Sequence, residues 1–305
     1  MRVSSAPPLV CILNHRDMKK VLVTGGSGFV GSRFIHRWQG EYEILAPRHS
    51  ELDITDADAV ATYIAMHRPD VLLHIAAISN TGYCQEHPQE SYLVNTIATV
   101  HLAQAAKTIG AKFIFFSSDQ VYNGNTESGP LSEDIPLHPQ NHYACHKLEA
   151  EEHILDLLPD SVLLRATWMY DIPCPAMPAH PNFFTNISKA IAEGSTLSFA
   201  THEHRGITHV GQVVEQLPRT FLLPGGVYNY GAENHLNTYQ IALSFVTQWK
   251  GREVALSTIK ADEQRFASQP RNISVSLDKI RLASQGQITF SNTLDGLMKQ
   301  VNLPD

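Results

Sequence analysis

Tyr143 and Lys147 stand four residues apart in the segment YACHK, and on a helix that spacing puts both side chains on one face. A free tyrosine, with a pKa of about 10, is a poor proton donor or base near neutrality. An ammonium beside it would favour the phenolate. A drop of about three units asks for roughly 4 kcal/mol of differential stabilisation, which charges in a partly desolvated cleft can supply. Such pairs also decorate ordinary helices, so a third group has to decide. Ser118 is that group: it closely follows the apolar run Ala111 to Phe116, which reads as a buried strand, and so sits at a strand's C-terminal end. There its hydroxyl could hold a carbonyl oxygen while Tyr143 protonates it. Ser117, its neighbour, fits better as a plain loop-starting serine.

The stretch that must position a second reactant lies far upstream. Val21 to Gly31, VLVTGGSGFVG, reads as a strand, a tight turn and a helix N-terminus. Gly25 would permit the turn, Gly28 the close approach of a pyrophosphate, and Gly31 the packing of helix on strand. Phe29 and Val30 open the helix whose free N–H groups and dipole would face the phosphates. The same glycines could instead form a plain flexible turn. With a dinucleotide seated there, a positively charged oxidised nicotinamide would add to Lys147 in favouring the Tyr143 phenolate.

The elements between these two sites alternate. Tyr42 to Ala46 reads as a second strand, ended by Pro47-Arg48-His49-Ser50. At this tip an acidic residue binds a ribose 2′-hydroxyl, whereas an arginine accommodates a 2′-phosphate. Arg48 therefore favours NADP over NAD, unless it is simply a solvated side chain. A helix follows over Asp56 to His67, with Thr55 or Asp56 as N-cap. Val71 to Ile75 is apolar except for His74, as a strand covered on both faces should be. Ala76-Ala77 at its end would leave room for a cofactor, or merely pack. A long helix is expected over Pro88 to Ile109, closed by Gly110, then a helix from near His142 and a strand over Ser161 to Ala166. This order predicts an α/β fold, a doubly wound parallel sheet of the Rossmann type with right-handed crossovers.

Beyond Thr167 the texture changes. Asp171 to Pro181 holds four prolines among eleven residues and reads as an irregular loop over a substrate mouth. Helices over Asn182 to Glu193, Val213 to Leu223 (interrupted at Pro218) and Tyr239 to Trp249, with strands over Leu197 to Phe199 and Val227 to Tyr230, suggest a smaller C-terminal substrate-binding lobe. The expected domains are an extension over 1–17, an NADP-binding core over 18–170 and a lobe over 171–305, with some segments returning to the core.

The chain's 305 residues are 43% apolar with a net charge of -7, and no dense run of Lys or Arg suggests a nucleic-acid partner. Small-molecule ligands are expected. Cys11, Cys84, Cys145 and Cys174 lack CxxC spacing, which predicts neither a zinc site nor a disulfide framework and fits a cytoplasmic setting. No apolar stretch reaches the roughly 18 to 20 residues of a membrane helix, so no membrane partner is expected. The apolar run Leu9 to Leu13 is followed by polar residues, and Met18-Lys19-Lys20 reads as the start of the folded part. His202, His204 and His209 in THEHRGITH could be metal ligands. A catalytic zinc needs a coherent ligand set and second shell, so a solvated or substrate-facing loop is expected instead, and no metal.

TGGSGFVG, the Asp53-Ile54 pair, Ala76-Ala77, Ser118 and the Tyr143/Lys147 pair, in this order, resemble the extended short-chain dehydrogenase/reductases, most of all the dTDP-4-dehydrorhamnose reductase group. Further matches are Arg68-Pro69-Asp70-Val71, Asn95 in LVNT, SSDQVYNG, Arg165 in LLRATWMY, and RNISVSLD at Arg271. The resemblance covers roughly residues 18 to 300 and thins after 170. It implies that Ser118 and Tyr143 polarise and protonate a keto oxygen, while Lys147 binds the nicotinamide ribose and tunes Tyr143. It also implies that Gly25, Gly28 and Gly31 hold the pyrophosphate, Arg48 the 2′-phosphate, and Asp53 with Ile54 the adenine. The implied reaction is NADPH-dependent reduction of the 4-keto group of a nucleotide-linked deoxysugar, for surface polysaccharide, with room for a homodimer.

Two departures bear on the chemistry. The group often has Thr where this chain has Ser118, which preserves the hydroxyl. Sugar-nucleotide dehydratases place an Asp-Glu pair just after it, whereas here Asp119 is followed by Gln120. An amide cannot act as that base, so dehydration is disfavoured. A sugar-nucleotide epimerase, which keeps its cofactor bound and turns the keto sugar over in the site, stays open. So does a non-catalytic NADP-binding regulator like the regulatory subunit of methionine adenosyltransferase, although the full Ser118, Tyr143 and Lys147 set argues against it.

Overall fold

Alternation along the first strand sends Val21 and Val23 to one side and Leu22 to the other, and all three are fully buried. Only a sheet covered on both faces buries both sets. The structure, a computed structural model, describes residues 18–302 except 175, 176, 178 and 179. The expected extension over 1–17, Cys11 and part of the proline-rich loop lie outside the described residues.

The core runs β1 (Lys20–Thr24), α1 (Phe29–Trp38), β2 (Glu43–Leu45), α2 (Ala57–His67), β3 (Val71–His74), α3 (Thr81–Glu86), α4 (Pro88–Tyr92), α5 (Ala98–Ile109), β4 (Lys112–Ser118), α6 (His142–Leu157) and β5 (Val162–Ala166). The rest comprises β6 (Trp168–Tyr170), α7 (Phe183–Glu193), β7 (Leu197–Ala200), β8 (Glu203–Arg205), β9 (Ile207–His209), α8 (Val210–Thr220), β10 (Gly226–Tyr230), α9 (Thr238–Lys250), α10 (Arg252–Thr258), β11 (Ile259–Asp262), β12 (Arg271–Ile273), α11 (Asp278–Ala283) and α12 (Thr293–Val301). Six strands form one parallel sheet in the order β2-β1-β3-β4-β5-β10. The doubly wound Rossmann architecture is therefore present. The order reverses between β1 and β3, and a crevice at their C-terminal ends is where such sheets bind ligands. One apolar layer, with α1 and α8, covers the Val21/Val23 face, and another, with α2, α5 and α6, covers the Leu22 face. A third cluster, centred on Phe183, Phe184, Ile241 and Phe245, fills the lobe. There three two-stranded pairs form: β6 with β9, β7 with β11, and β8 with β12.

Several boundaries differ from the sequence reading for identifiable reasons. Of the two candidate caps, Asp56 caps α2, accepting from the Asp58 and Ala59 N–H groups. The long helix from Pro88 is broken by a π-helical turn, Leu93–Ile97. That turn carries Asn95, whose side chain accepts from Ile78 N at 2.9 Å and donates to Ile78 O at 3.0 Å. Pro218 does not interrupt α8. A helical proline leaves the carbonyl four residues back without its usual N–H, and here Trp38 Nε1–H donates to that Val214 carbonyl at 3.0 Å instead. The segment 227–230, although past the lobe boundary expected at 171, is an edge strand of the main sheet, paired to β5. Cys84, Cys145 and Cys174 are free thiols. Among the described residues no helix is long and apolar enough to cross a membrane.

Candidate active site

Gly25 takes φ +73°, which favours glycine, and a Cβ there would stand 2.8 Å from the Ala76 backbone N. The turn after β1 is thereby pressed against the end of β3, at the point where the strand order reverses. Gly28 N–H donates to the Gly25 carbonyl at 2.9 Å and starts α1, whose N-terminus has neither a side-chain cap nor an acid in its first turn. Its N–H groups are thus left facing the crevice, as an anion cradle requires. Gly31 is buried behind them: a Cβ there would fall on the Gly25 carbonyl oxygen and within 2.9 Å of Gly26 Cα. The sequence assigned Gly31 to packing on the strand; what it permits is packing on the turn. These features fit the diphosphate of a dinucleotide.

A cleft of 1360 Å³ opens from this turn to the lobe, and Gly25, Gly28, Phe29, Val30, Ala76, Ala77, Ser118, Tyr143 and Lys147 all line it. Residues up to 122 positions apart in the chain are brought together because β1, β3 and β4 end on one edge of the sheet and α6 packs against it. Arg48, Asp53 and Ile54 do not line the cleft. Arg48 is exposed in the loop after β2, its N–H held by Glu51 at 2.7 Å. Ala46, just before that loop, lies against Gly26. Asp53 accepts from Thr55 N and Oγ1 at 2.9 and 2.7 Å, which holds its carboxyl below the usual range.

Asn141 caps α6, accepting from the Ala144 N–H, and so fixes the first turn on which Tyr143 stands. Ser118 stands near enough to Tyr143 to pull the phenol's pKa downward. Lys147, one turn on, is 2% exposed, with its ammonium 4.1 Å above the centre of the Phe115 ring. Burial brings its pKa down to about 7, against an opposing pull from Glu151. Among the protein's own groups the balance at Tyr143 runs opposite to the sequence expectation. Burial raises its pKa, the neighbouring Ser118 hydroxyl opposes this, and the Asp119 charge adds to the rise. A phenol so placed keeps its proton until a partner develops negative charge.

Beneath this set lies a buried network of which the sequence marked only Arg165, in the LLRATWMY match. Arg165 on β5 binds Glu151 with Nη2 to Oε2 at 2.7 Å, the pair being 5% and 2% exposed, and Ser117 Oγ–H donates to Glu151. Ser117 is therefore not an idle loop serine. Glu151 lies four residues beyond Lys147, and continuing the helical spacing from Tyr143 would have pointed to it. His74, the polar exception in β3, is held between Thr24 Oγ1 at 2.7 Å and Thr99 Oγ1 at 2.9 Å. Burial lowers its pKa to about 3, with Lys147 adding to the fall.

The lobe closes the far end of the cleft with arginines. Arg205 reaches back to Asp119 at 3.2 Å and lies 4.9 Å over the Trp168 ring. Arg271 reaches Gln120 Oε1 at 2.7 Å and Glu203 at 3.2 Å. Arg265 lines the same end. Arg205 belongs to the THEHRGITH segment, whose histidines do not gather: His209 pairs with Asp171, and His204 lies on β8. The sequence marked Arg271 through the RNISVSLD match, but nothing in local spacing signalled its meeting with Arg205, because the two come together only across the β8-β12 pairing.

A parallel sheet with a glycine turn at its switch point and a Ser-Tyr-Lys set at its C-terminal edge defines the extended short-chain dehydrogenase/reductase architecture. A sequence model of the RmlD substrate binding domain matches residues 18–302, and the chain belongs to that family. It is 27% identical over 247 residues to the spore coat polysaccharide biosynthesis protein SpsK of Bacillus subtilis, covering 81% of this chain and 84% of that one. It is 27% identical over 283 residues to a dTDP-4-dehydrorhamnose reductase of Aggregatibacter actinomycetemcomitans, covering 87% and 93%. Its fold matches the dTDP-4-dehydrorhamnose reductase of Bacillus anthracis, solved in complex with NADP, with a TM-score of 0.79 at 20% identity over 92% of this chain and 97% of that one.

Proposed function

We propose that this protein is a reductase that uses NADPH to reduce the 4-keto group of a nucleotide-linked deoxysugar. One observation carries the reading: Ser118, Tyr143 and Lys147 line a single cleft between the glycine turn and the arginines of the lobe. The glycine turn and the free N-terminus of α1 would hold the cofactor's diphosphate, and the cofactor supplies the hydride. Ser118 Oγ–H and the Tyr143 hydroxyl would donate to the keto oxygen. As that oxygen gains charge, Tyr143 gives up its proton, so the carbonyl becomes an alcohol. Lys147, whose pKa lies at about 7, can hold or release a proton near neutrality. The arginines supply charge for the substrate's diphosphate. Arg48, two residues beyond the Ala46 that lies against Gly26 of the glycine turn, is the group that favours NADPH over NADH in this reading.

The test is a spectrophotometric screen of NADPH oxidation against 4-keto deoxysugar nucleotides. Tyr143→Phe, which lacks the transferable proton, should lower the rate by about 10²- to 10⁴-fold while leaving NADPH affinity within about twofold. Tight NADPH binding with no oxidation of any such substrate would sink the reductase reading in favour of a regulatory role. Co-purified NAD with no net turnover would favour epimerisation.

A further inference from the structure

Gln120, 8% exposed, makes two opposite contacts in the wall between the catalytic hydroxyls and the lobe. Its Oε1 accepts from Arg271 Nη2 at 2.7 Å, and its Nε2 donates to Asp119 Oδ1 at 3.5 Å. An amide can bridge a cation and an anion in this way because it carries both an acceptor and a donor. A carboxylate of the same shape could accept from Arg271 but would confront Asp119 with a like charge.

The surrounding charges give that difference its weight. Asp119 and Glu203 face Arg205 and Arg271, while Arg265 adds a further positive charge at the same end of the cleft. The charges that act on Arg271 are those of two carboxylates, Asp119 and Glu203, and two further guanidiniums, Arg205 and the exposed Arg265, so the five groups together sum to one positive charge. The Nε atoms of both Arg205 and Arg271 are buried without a hydrogen-bond partner, so neither guanidinium is fully satisfied by the protein. Had position 120 carried Glu, the local sum would fall to zero and Arg271 would be paired twice.

We infer that Gln120 is a specificity-determining residue: as a neutral bridge it orients Arg271 toward the cleft and keeps the positive charge of the arginine group open for a substrate diphosphate. This rests on the reading of the cleft as the seat of a nucleotide-linked substrate. Gln120 thereby does more than lack the basicity needed for dehydration, since its neutrality serves binding.

Binding can be tested apart from turnover, with dTDP and inorganic pyrophosphate titrated calorimetrically into the full chain in saturating NADPH. Wild type should bind dTDP. Gln120→Glu, nearly isosteric, should bind it about ten- to a hundredfold more weakly, as expected for one added charge within several ångströms in a half-buried site. Gln120→Met, which loses the hydrogen bonds but adds no charge, should lose less than Gln120→Glu. NADPH affinity should stay within about twofold in both, which shows that they fold. Equal dTDP affinity in wild type and Gln120→Glu overturns the inference, as does a larger loss in Gln120→Met than in Gln120→Glu. If wild type binds neither probe yet oxidises NADPH with a sugar nucleotide, the inference falls and the reductase reading stands. If it binds dTDP with the expected pattern but reduces nothing, the reverse holds.

Discussion

Replacing Gly31 by Ala tests whether the glycine turn is a fitted cradle or a flexible loop. In an ordinary helix interior this change stabilises by about 0.5–1 kcal/mol, because Ala is the better helix former. Here the new Cβ would lie 2.9 Å from both the Gly25 carbonyl carbon and Gly26 Cα, with the Gly25 oxygen nearer still. Carbon atoms in contact prefer about 3.5–4.0 Å, so α1 or the turn must retreat by roughly half an ångström or more. Overpacking of this kind costs about 1–3 kcal/mol, which set against the propensity gain leaves a net loss of up to about 2.5 kcal/mol. Because the retreat moves the N–H groups meant for the diphosphate, NADPH affinity should fall about tenfold or more. Gly28→Ala is the matched control. Gly28 sits at φ -78°, open to any residue, and its Cβ would meet only the Gly25 oxygen at 3.2 Å. It lines the cleft, however, so that variant should keep its stability within about 0.5 kcal/mol and still lose cofactor affinity. Urea denaturation and NADPH fluorescence titration read the two quantities separately. A Gly31→Ala protein as stable as wild type, with unaltered NADPH binding, would refute the argument.

Further expectations arise from the buried charges. Glu151→Gln removes the carboxylate that pulls the Lys147 pKa upward, so amine acylation in the cleft should titrate below the wild-type midpoint of about 7; a midpoint near 10 in wild type would show that Lys147 is solvated. The same variant strands the Arg165 guanidinium and should cost about 3–5 kcal/mol in urea denaturation. His74 titrates at about 3 when folded and near its ordinary value of 6.5 when unfolded. Its contribution to stability is present in full above pH 6.5 and is lost as pH falls toward 3, by up to about 1.4 kcal/mol per unit. His74→Gln should flatten that dependence by one proton's worth, and an unchanged slope would show that the imidazole titrates normally in the fold. Arg48→Ala should weaken NADPH binding while sparing NADH, and an unaltered ratio of the two affinities removes Arg48 from the 2′-phosphate.

What the amino-acid sequence determined by itself was local: chemistry and geometry that act over a few residues. The spacing of Gly25, Gly28 and Gly31 specified a turn into a helix, the apolar runs specified strands buried on both faces, and Tyr143 with Lys147 specified one helical face. These are legible because backbone sterics and helical periodicity operate between near neighbours. The tertiary structure decided whatever depends on which distant segments meet. It put Trp38 under the carbonyl that Pro218 leaves unpaired, so that a helix expected to break runs on. It stacked Arg165 and Ser117 on Glu151, turning an unremarked carboxylate into the brace beneath Lys147. It also reversed the balance at Tyr143, because burial, which raises the pKa of a phenol and lowers that of an ammonium, is a property of the packed protein rather than of residue spacing. The arginines of the lobe are the fullest case: Arg205 and Arg271 lie 66 positions apart in the chain and meet on one wall of the cleft only when β8 pairs with β12.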